Sequence, residues 1–394
     1  MNAPIPLEEA WEKLFALAAP LPTETVAADE VAGRWLAGDL LARRTQPAAD
    51  LSAMDGFAVA GPGPWRIRGE SRAGAPFAGK IGSGEAARIS TGAACPAGTA
   101  AIVPIEDAAL DGETLDAPHP EPGRYIRRRG FDFGEGDRVI DAGTRIGPAQ
   151  IALARAAGHG ALEVARRPLV AIIECGDELS ADPADPHPDR IPASNGAMVA
   201  AMARSVGAQA LRIGPLPDRR EELARALVDA GDADVIVTTA GASVGEHDHV
   251  RGALEDCGAS LAFWRVAIRP GKPMLVARLG PRIALGLPGN PASAYVTAFL
   301  FLLPLLRAMQ GAAGPLPRPL ALPLAGPLPA GGERREFLRA RLVDGRAVPL
   351  AERDSSALAG LAAADLLIDR AIAAPAAHDG RQVPCYWLEN GRIA

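Results

Sequence analysis

The chain has 394 residues and a formal net charge of −6, with 48% hydrophobic and 22% charged residues. That length holds roughly two to four domains, and the composition is that of a folding chain and not a disordered one. No Lys/Arg block is long enough for a phosphate-backbone footprint, so nucleic acid is not an expected partner.

Near the start, Leu7, Trp11, Leu14 and Leu17 fall at helical spacing, with Glu8, Glu9 and Glu12 at the amino end. Met1 to Glu9 has neither a basic nor an apolar export segment, so a cytoplasmic location is expected. A second helix is expected over 24–37. From Leu51 to about Phe133 the pattern changes to short β-like runs (Phe57–Ala60, Trp65–Ile67, Ala100–Pro104) cut by Gly and Pro. Helical pattern returns with Pro148 at a first helical position and stops at Gly158. The reading is a mainly helical N-terminal domain (1–43 and 134–167) carrying an inserted β-rich domain (44–133).

Between Pro168 and Met309, apolar strand-length runs alternate with helices. Leu169–Cys175 is followed by a helix from about Asn195, a strand at Leu211–Ile213, and a helix opened by Asp218 with Glu221 at capping-box spacing. Asp234–Thr239 and Arg282–Leu287 complete the rhythm. This predicts a parallel sheet covered on both faces over 168–312. The apolar run Ala294–Leu306 contains Pro304 and is too short for a membrane span, so it is expected to be a buried helix and no membrane partner is expected. The remainder, 313–394, reads as a C-terminal β domain. The four cysteines form no C-x-x-C pair and read as free, mostly buried thiols of a reducing compartment.

In such a sheet the ligand lies beyond the carboxyl ends of the strands, where helix N-termini favour phosphate or another oxyanion. Gly241-Ala242-Ser243-Val244-Gly245 follows a strand and opens a helix; Gly241 and Gly245 allow close backbone approach, and Ser243 adds a hydroxyl. Gly286-Leu287-Pro288-Gly289-Asn290-Pro291 repeats the arrangement, with Asn290 placed as an N-cap. An ordinary turn and simple capping are the competing readings. Asp177 and Glu178 directly follow a buried strand; with Glu246 and Asp248 they could supply hard oxygen ligands to Mg²⁺. His247 and His249 lack further zinc ligands and read as solvated. Arg269-Pro270-Gly271-Lys272-Pro273 holds two cations on a stiff loop, suited to a multiply charged anion.

Together with Ser52-Ala53-Met54-Asp55-Gly56-Phe57-Ala58-Val59, Thr91-Gly92 and Glu106-Asp107, these motifs resemble, in order, those of the molybdopterin molybdotransferase (MoeA, gephyrin E-domain) family. The resemblance implies an α/β multidomain protein with a molybdopterin-binding parallel-sheet domain. The implied reaction inserts molybdate into adenylyl-molybdopterin in a Mg²⁺-dependent step and releases AMP. It also implies a homodimer whose site is closed by the partner's inserted domain, with other proteins of molybdenum-cofactor biosynthesis as further candidate partners. Carried over by position, Asp55, Thr91, Glu178, Asp218, Asp248 and Lys272 are the implied catalytic residues, with Glu178 and Asp248 on the metal. Gly241, Ser243, Gly245, Arg269, Lys272, Gly289, Asn290, Arg334, Arg339 and Ser355 are the implied substrate contacts. Cys175, Ala240, Phe57 and Asp354 depart from the family pattern, and an aspartate beside Ser355 is expected to repel an oxyanion. The alternative readings are a non-catalytic molybdopterin-binding scaffold of the same fold and a related adenylylating enzyme.

Overall fold

The computed structural model describes residues 3–240, 249–388 and 390. Helix α1 (Leu7–Phe15) buries Leu7, Ala10 and Leu14, and these side chains join the core of the central sheet domain, not a separate helical core. The helix expected over 24–37 does not form. Thr23–Ala27 is instead a strand, β1, paired antiparallel with Ala161–Ala165. The β-branched Thr23, Thr25 and Val26 favour extended backbone. The N-terminal domain is therefore mixed, with α2 (Pro148–Ala156) starting at Pro148 as the sequence predicts.

The inserted domain is a six-stranded sheet of β2 (Gly56–Ala60), β3 (Trp65–Ser71), β4 (Glu85–Ile89), β5 (Ala101–Pro104), β6 (Ala109–Asp111) and β7 (Thr114–Asp116), in the order β5-β2-β4-β3-β7-β6. The two crossing segments pair with each other along the way: Leu40–Leu41 with Arg138–Ile140, Gln46 with Phe133, and Leu51–Ser52 with Ile126–Arg127. The unit is thus carried on a paired, two-stranded arm.

The central sheet contains β8 (Leu169–Cys175), β9 (Gln209–Leu216), β10 (Val235–Thr238), β11 (Ser260–Trp264), β12 (Leu275–Leu279) and β13 (Arg282–Gly286), in the order β9-β8-β10-β13-β12-β11. The first four are mutually parallel, but β12 and β11 are antiparallel additions. The expectation of a wholly parallel sheet is corrected accordingly. Only Gly280 and Pro281 separate β12 from β13, and so short a link can join only an antiparallel pair. Along β8, Val170 and Ile172 enter one core while Ala171, Ile173 and Cys175 enter the other. Burial on both faces is why this strand reads as an unbroken apolar run.

Helices α3 (Asn195–Ser205), α4 (Arg220–Asp229) and α5 (His249–Asp256) flank the sheet. The apolar run becomes α6 (Pro291–Thr297), a π-helical segment (Ala298–Leu302) and α7 (Leu303–Met309). Its 19 residues would span a membrane by length and composition, but 89% of the window is buried, so this is a core helix. Pro304 has no N–H to offer the carbonyl of Leu300. The Trp11 indole of α1 donates to that carbonyl at 2.8 Å, which satisfies it and docks α1 onto the helix.

The C-terminal domain is built on β14 (Leu320–Pro323), β15 (Arg335–Val343), β16 (Leu366–Arg370) and β17 (Gln382–Trp387), in the order β15-β16-β17-β14. Ile268–Arg269 of the central domain adds to its edge, parallel to Arg335–Glu336. The arginine loop is thereby fixed between two domains.

Candidate active site

The parallel register of β8, β10 and β13 sets the ends of these strands side by side, and β12 begins opposite Gly286. The segments after Cys175, Thr238 and Gly286, and the one before Leu275, therefore share one rim. This is the edge at which an open α/β sheet binds its ligand.

A cleft of about 620 Å³ opens there between the central and C-terminal domains. Its walls carry Arg269, Lys272, Gly289, Asn290, Arg334, Arg339 and Ser355, seven of the residues singled out in the sequence. Five basic side chains (with Arg353) face three acidic ones, Glu336, Glu352 and Asp354. In a chain of net charge −6 this local positive excess favours an anion. Lys272 and Arg334 make no ion pair with a described residue, and Arg269 meets Glu336 only at 3.4 Å. Gly271 lets the arginine loop settle on the core helix. Its φ is +108°, and a Cβ there would lie 2.6 Å from Thr297 Cγ2.

The Gly289 turn is tied on both sides. Asn195, at the start of α3, donates its amide to the Gly289 carbonyl at 2.6 Å. Asn290 occupies the N-cap position of α6, with Pro291 first in the helix, but its side chain does not cap. The amide instead donates to Ser355 Oγ at 2.9 Å, and the Ser355 carbonyl accepts the N–H of Ala292 at 2.9 Å. The C-terminal domain thus supplies the helix partner that Asn290 was expected to supply.

Arg339 lines the cleft yet is 7% exposed. Its guanidinium donates to the carbonyls of Glu352, Asp354 and Ala357, each at 2.9 Å, so it holds the loop that carries Ser355. Burial pulls its pKa below the ordinary arginine value. Asp354, the aspartate expected to repel an oxyanion, lines the cleft. Its Oδ1 accepts from both the N–H and the hydroxyl of Ser356 at 2.8 Å, and these bonds hold its carboxyl below the usual range.

At the end of β8, Glu178 is exposed, and its carboxylate makes no hydrogen bond to a described residue. Asp177 does not open a helix; its Oδ1 accepts the N–H of Asp218 at 3.2 Å. The capping box expected at Asp218 and Glu221 is absent: Arg219 is the N-cap of α4 and no side chain caps it. The Asp218 carboxylate stays at the rim beside Cys175, whose thiol is pushed up to about 12 by burial first, then by Asp218 and Glu174. Glu178 and Asp218 do not line the cleft itself. Gly241, Ser243, Gly245, Glu246, His247 and Asp248 lie outside the described residues. Ala240, just before them, is next to Gly289, where a Cβ would meet its own at 3.9 Å.

Asp55 and Thr91 are brought together on the exposed end of the inserted domain, where Asp55 Oδ1 accepts the Thr91 N–H at 2.7 Å. They are not part of the cleft in this chain. Sequence reasoning missed Glu174, 1% exposed at the end of β8. Its Oε1 accepts the N–H of Gly196 at 2.8 Å and its Oε2 pairs with Arg212 at 2.7 Å, which seats the amino end of α3. The signal was a lone charge inside an apolar strand. Only glycine fits at 196, because a Cβ would stand 2.2 Å from Glu174.

A mainly parallel sheet domain, a β domain held out on an arm and a β domain closing a basic cleft define a multidomain α/β protein built to take an anionic ligand at the sheet's rim. Residues 5–158 match the MoeA N-terminal region (domains I and II), 171–308 a probable molybdopterin-binding domain, and 321–388 the MoeA C-terminal region (domain IV). The molybdopterin molybdenumtransferase of Haemophilus influenzae is 34% identical over 77% of this chain and 78% of its own length. That of Synechococcus elongatus is 33% identical over 89% of this chain and 92% of its own. A crystal structure of the MoeA molybdopterin biosynthesis protein from Pyrococcus horikosii superposes with a TM-score of 0.81 at 28% identity, covering 98% of this chain and 99% of that one. The chain belongs to the molybdopterin molybdenumtransferase (MoeA) family, and it is an enzyme of molybdenum-cofactor biosynthesis.

Proposed function

We propose that the enzyme takes adenylyl-molybdopterin and molybdate as substrates, inserts the metal into the dithiolene and releases AMP. The observation that supports this reading best is the cleft, which Arg269, Lys272 and Arg334 line together with Ser355 and the Gly289 turn. Cations on fixed loops suit a dianion such as molybdate next to a nucleotide phosphate. Lys272 holds charge against the phosphates, and the backbone of the glycine turns approaches them. Arg339 and Asp354 keep the Ser355 loop in place and do not bind the anion themselves.

Mg²⁺ fits the carboxylate that Glu178 presents at the rim, which has no other described partner; Asp248, the second ligand that the resemblance implies, lies outside the described residues. A Mg²⁺ ion is usually held by one or two carboxylates with substrate phosphate and water, and would be held here in that way. When bound, it would offset the charge of the adenylyl pyrophosphate. Asp218, released from capping, is the third acidic group available at this edge.

Asp55 and Thr91 lie on the inserted domain, away from this chain's cleft, and act on the partner's site in a homodimer. The protein works in the cytoplasm. Asp248→Asn is expected to abolish AMP release from adenylyl-molybdopterin while nucleotide binding stays measurable by calorimetry. Near-normal turnover by that variant would remove Asp248 from the metal site.

A further inference from the structure

We propose that Asn290 is a positioning residue that sets the direction of the Ser355 hydroxyl proton at the oxyanion site. The inference rests on the reading that the cleft takes molybdate. An amide N–H₂ can only donate, so the 2.9 Å bond from Asn290 Nδ2 uses Ser355 Oγ as an acceptor. The single hydroxyl proton is then left to donate, in a cleft that Arg269, Lys272 and Arg334 also line.

The arrangement is built from both ends. Asn290 cannot drift, because the preceding carbonyl is fixed by Asn195 at 2.6 Å and Pro291 locks the first residue of α6. Ser355 cannot drift either. Its own carbonyl is bonded to the Ala292 N–H, and its loop is held by the buried Arg339 guanidinium at three carbonyls. Asp354, the neighbour expected to repel an oxyanion, is held in place by the two bonds of its Oδ1 to Ser356. What remains adjustable is the direction of one proton, and Asn290 sets it.

The test uses the full-length enzyme and three variants, Asn290→Ala, Asn290→Asp and Ser355→Ala, with the Asn290→Ala/Ser355→Ala double variant. The readouts are initial rates of AMP release against molybdate and against adenylyl-molybdopterin, and calorimetric titration with sodium molybdate. Asn290→Asp keeps the side-chain shape but accepts the serine proton and adds a charge. It should raise the KM for molybdate by more than about tenfold, with the KM for the nucleotide substrate within about twofold of wild type. Asn290→Ala should weaken molybdate binding less, and should add nothing in the Ser355→Ala background, since the two residues act as one unit. Wild-type molybdate affinity in both Asn290 variants overturns the inference while leaving the proposed reaction intact. So does an Asn290→Ala penalty that is undiminished without the serine hydroxyl. A wild-type enzyme that neither binds molybdate nor releases AMP in its presence overturns the reading and the inference together.

Discussion

Side chains that look alike in a motif turn out to have different duties. Arg334 and Arg339 both read as substrate contacts and both line the cleft, but Arg339 also donates to three carbonyls of its own domain, whereas Arg334 makes no ion pair with a described residue. Asn290 reads as a cap, and its amide reaches across a domain boundary instead. Sequence could identify these residue types and positions, because glycine turns and stiff proline loops are local. It could not assign their partners, which come from segments 13 to 94 residues away. The cysteines were legible as free thiols, though only two of the four are buried. Cys175 and Cys385 are buried, with thiols pushed up to about 12 mainly by desolvation. At pH 8 roughly one in a thousand or fewer would be thiolate. Both should stay unreacted with a disulfide reagent in the native enzyme and react only after unfolding. Rapid native modification of either would show that the strand ends are open.

Among the elements, the amphipathic first helix and the apolar run at 294–306 were read correctly as separate features. Their connection was not legible, because periodicity says which face is apolar and not what it meets. Pro304 strands the Leu300 carbonyl, and Trp11, 289 residues earlier, satisfies it. Trp11→Phe keeps most of the apolar contact but leaves that carbonyl without its donor. It should lower stability by about 1–3 kcal/mol, measured as a fall in the thermal unfolding midpoint with the cleft chemistry unchanged. An unaltered midpoint would mean that the carbonyl finds another donor. The missing helix over 24–37 and the antiparallel β11 and β12 have a shared cause. Strand pairing is long-range, so Thr23–Ala27 is decided by Ala161–Ala165, and only the Gly280-Pro281 link announced the hairpin.

At the scale of the molecule, the alternation of apolar runs and helices made the sheet domain legible. The cleft between the central and C-terminal domains was not, because no local pattern states that Ile268–Arg269 joins the edge of a sheet 67 residues away, at Arg335–Glu336. The arm that carries Asp55 and Thr91 away from this chain's cleft makes a further prediction. If the inserted domain serves the partner subunit, Asp55→Asn and Glu178→Gln enzymes are each inactive alone, but mixing and exchanging their subunits restores roughly a quarter of wild-type activity, from the heterodimers' one intact site. Absence of any recovery, with heterodimers demonstrated by tagged pull-down, would place both residues in the same chain's site.

The central claim is that the rim loops and the Ser355 loop together bind a molybdate ion beside an adenylylated substrate. Its most direct test is single-turnover release of AMP from adenylyl-molybdopterin, followed with and without molybdate, in the wild type and in Lys272→Met. Release should require molybdate and slow by about 10²-fold without the Lys272 charge. Equal release in the absence of molybdate, or a Lys272→Met enzyme as fast as the wild type, would contradict the account.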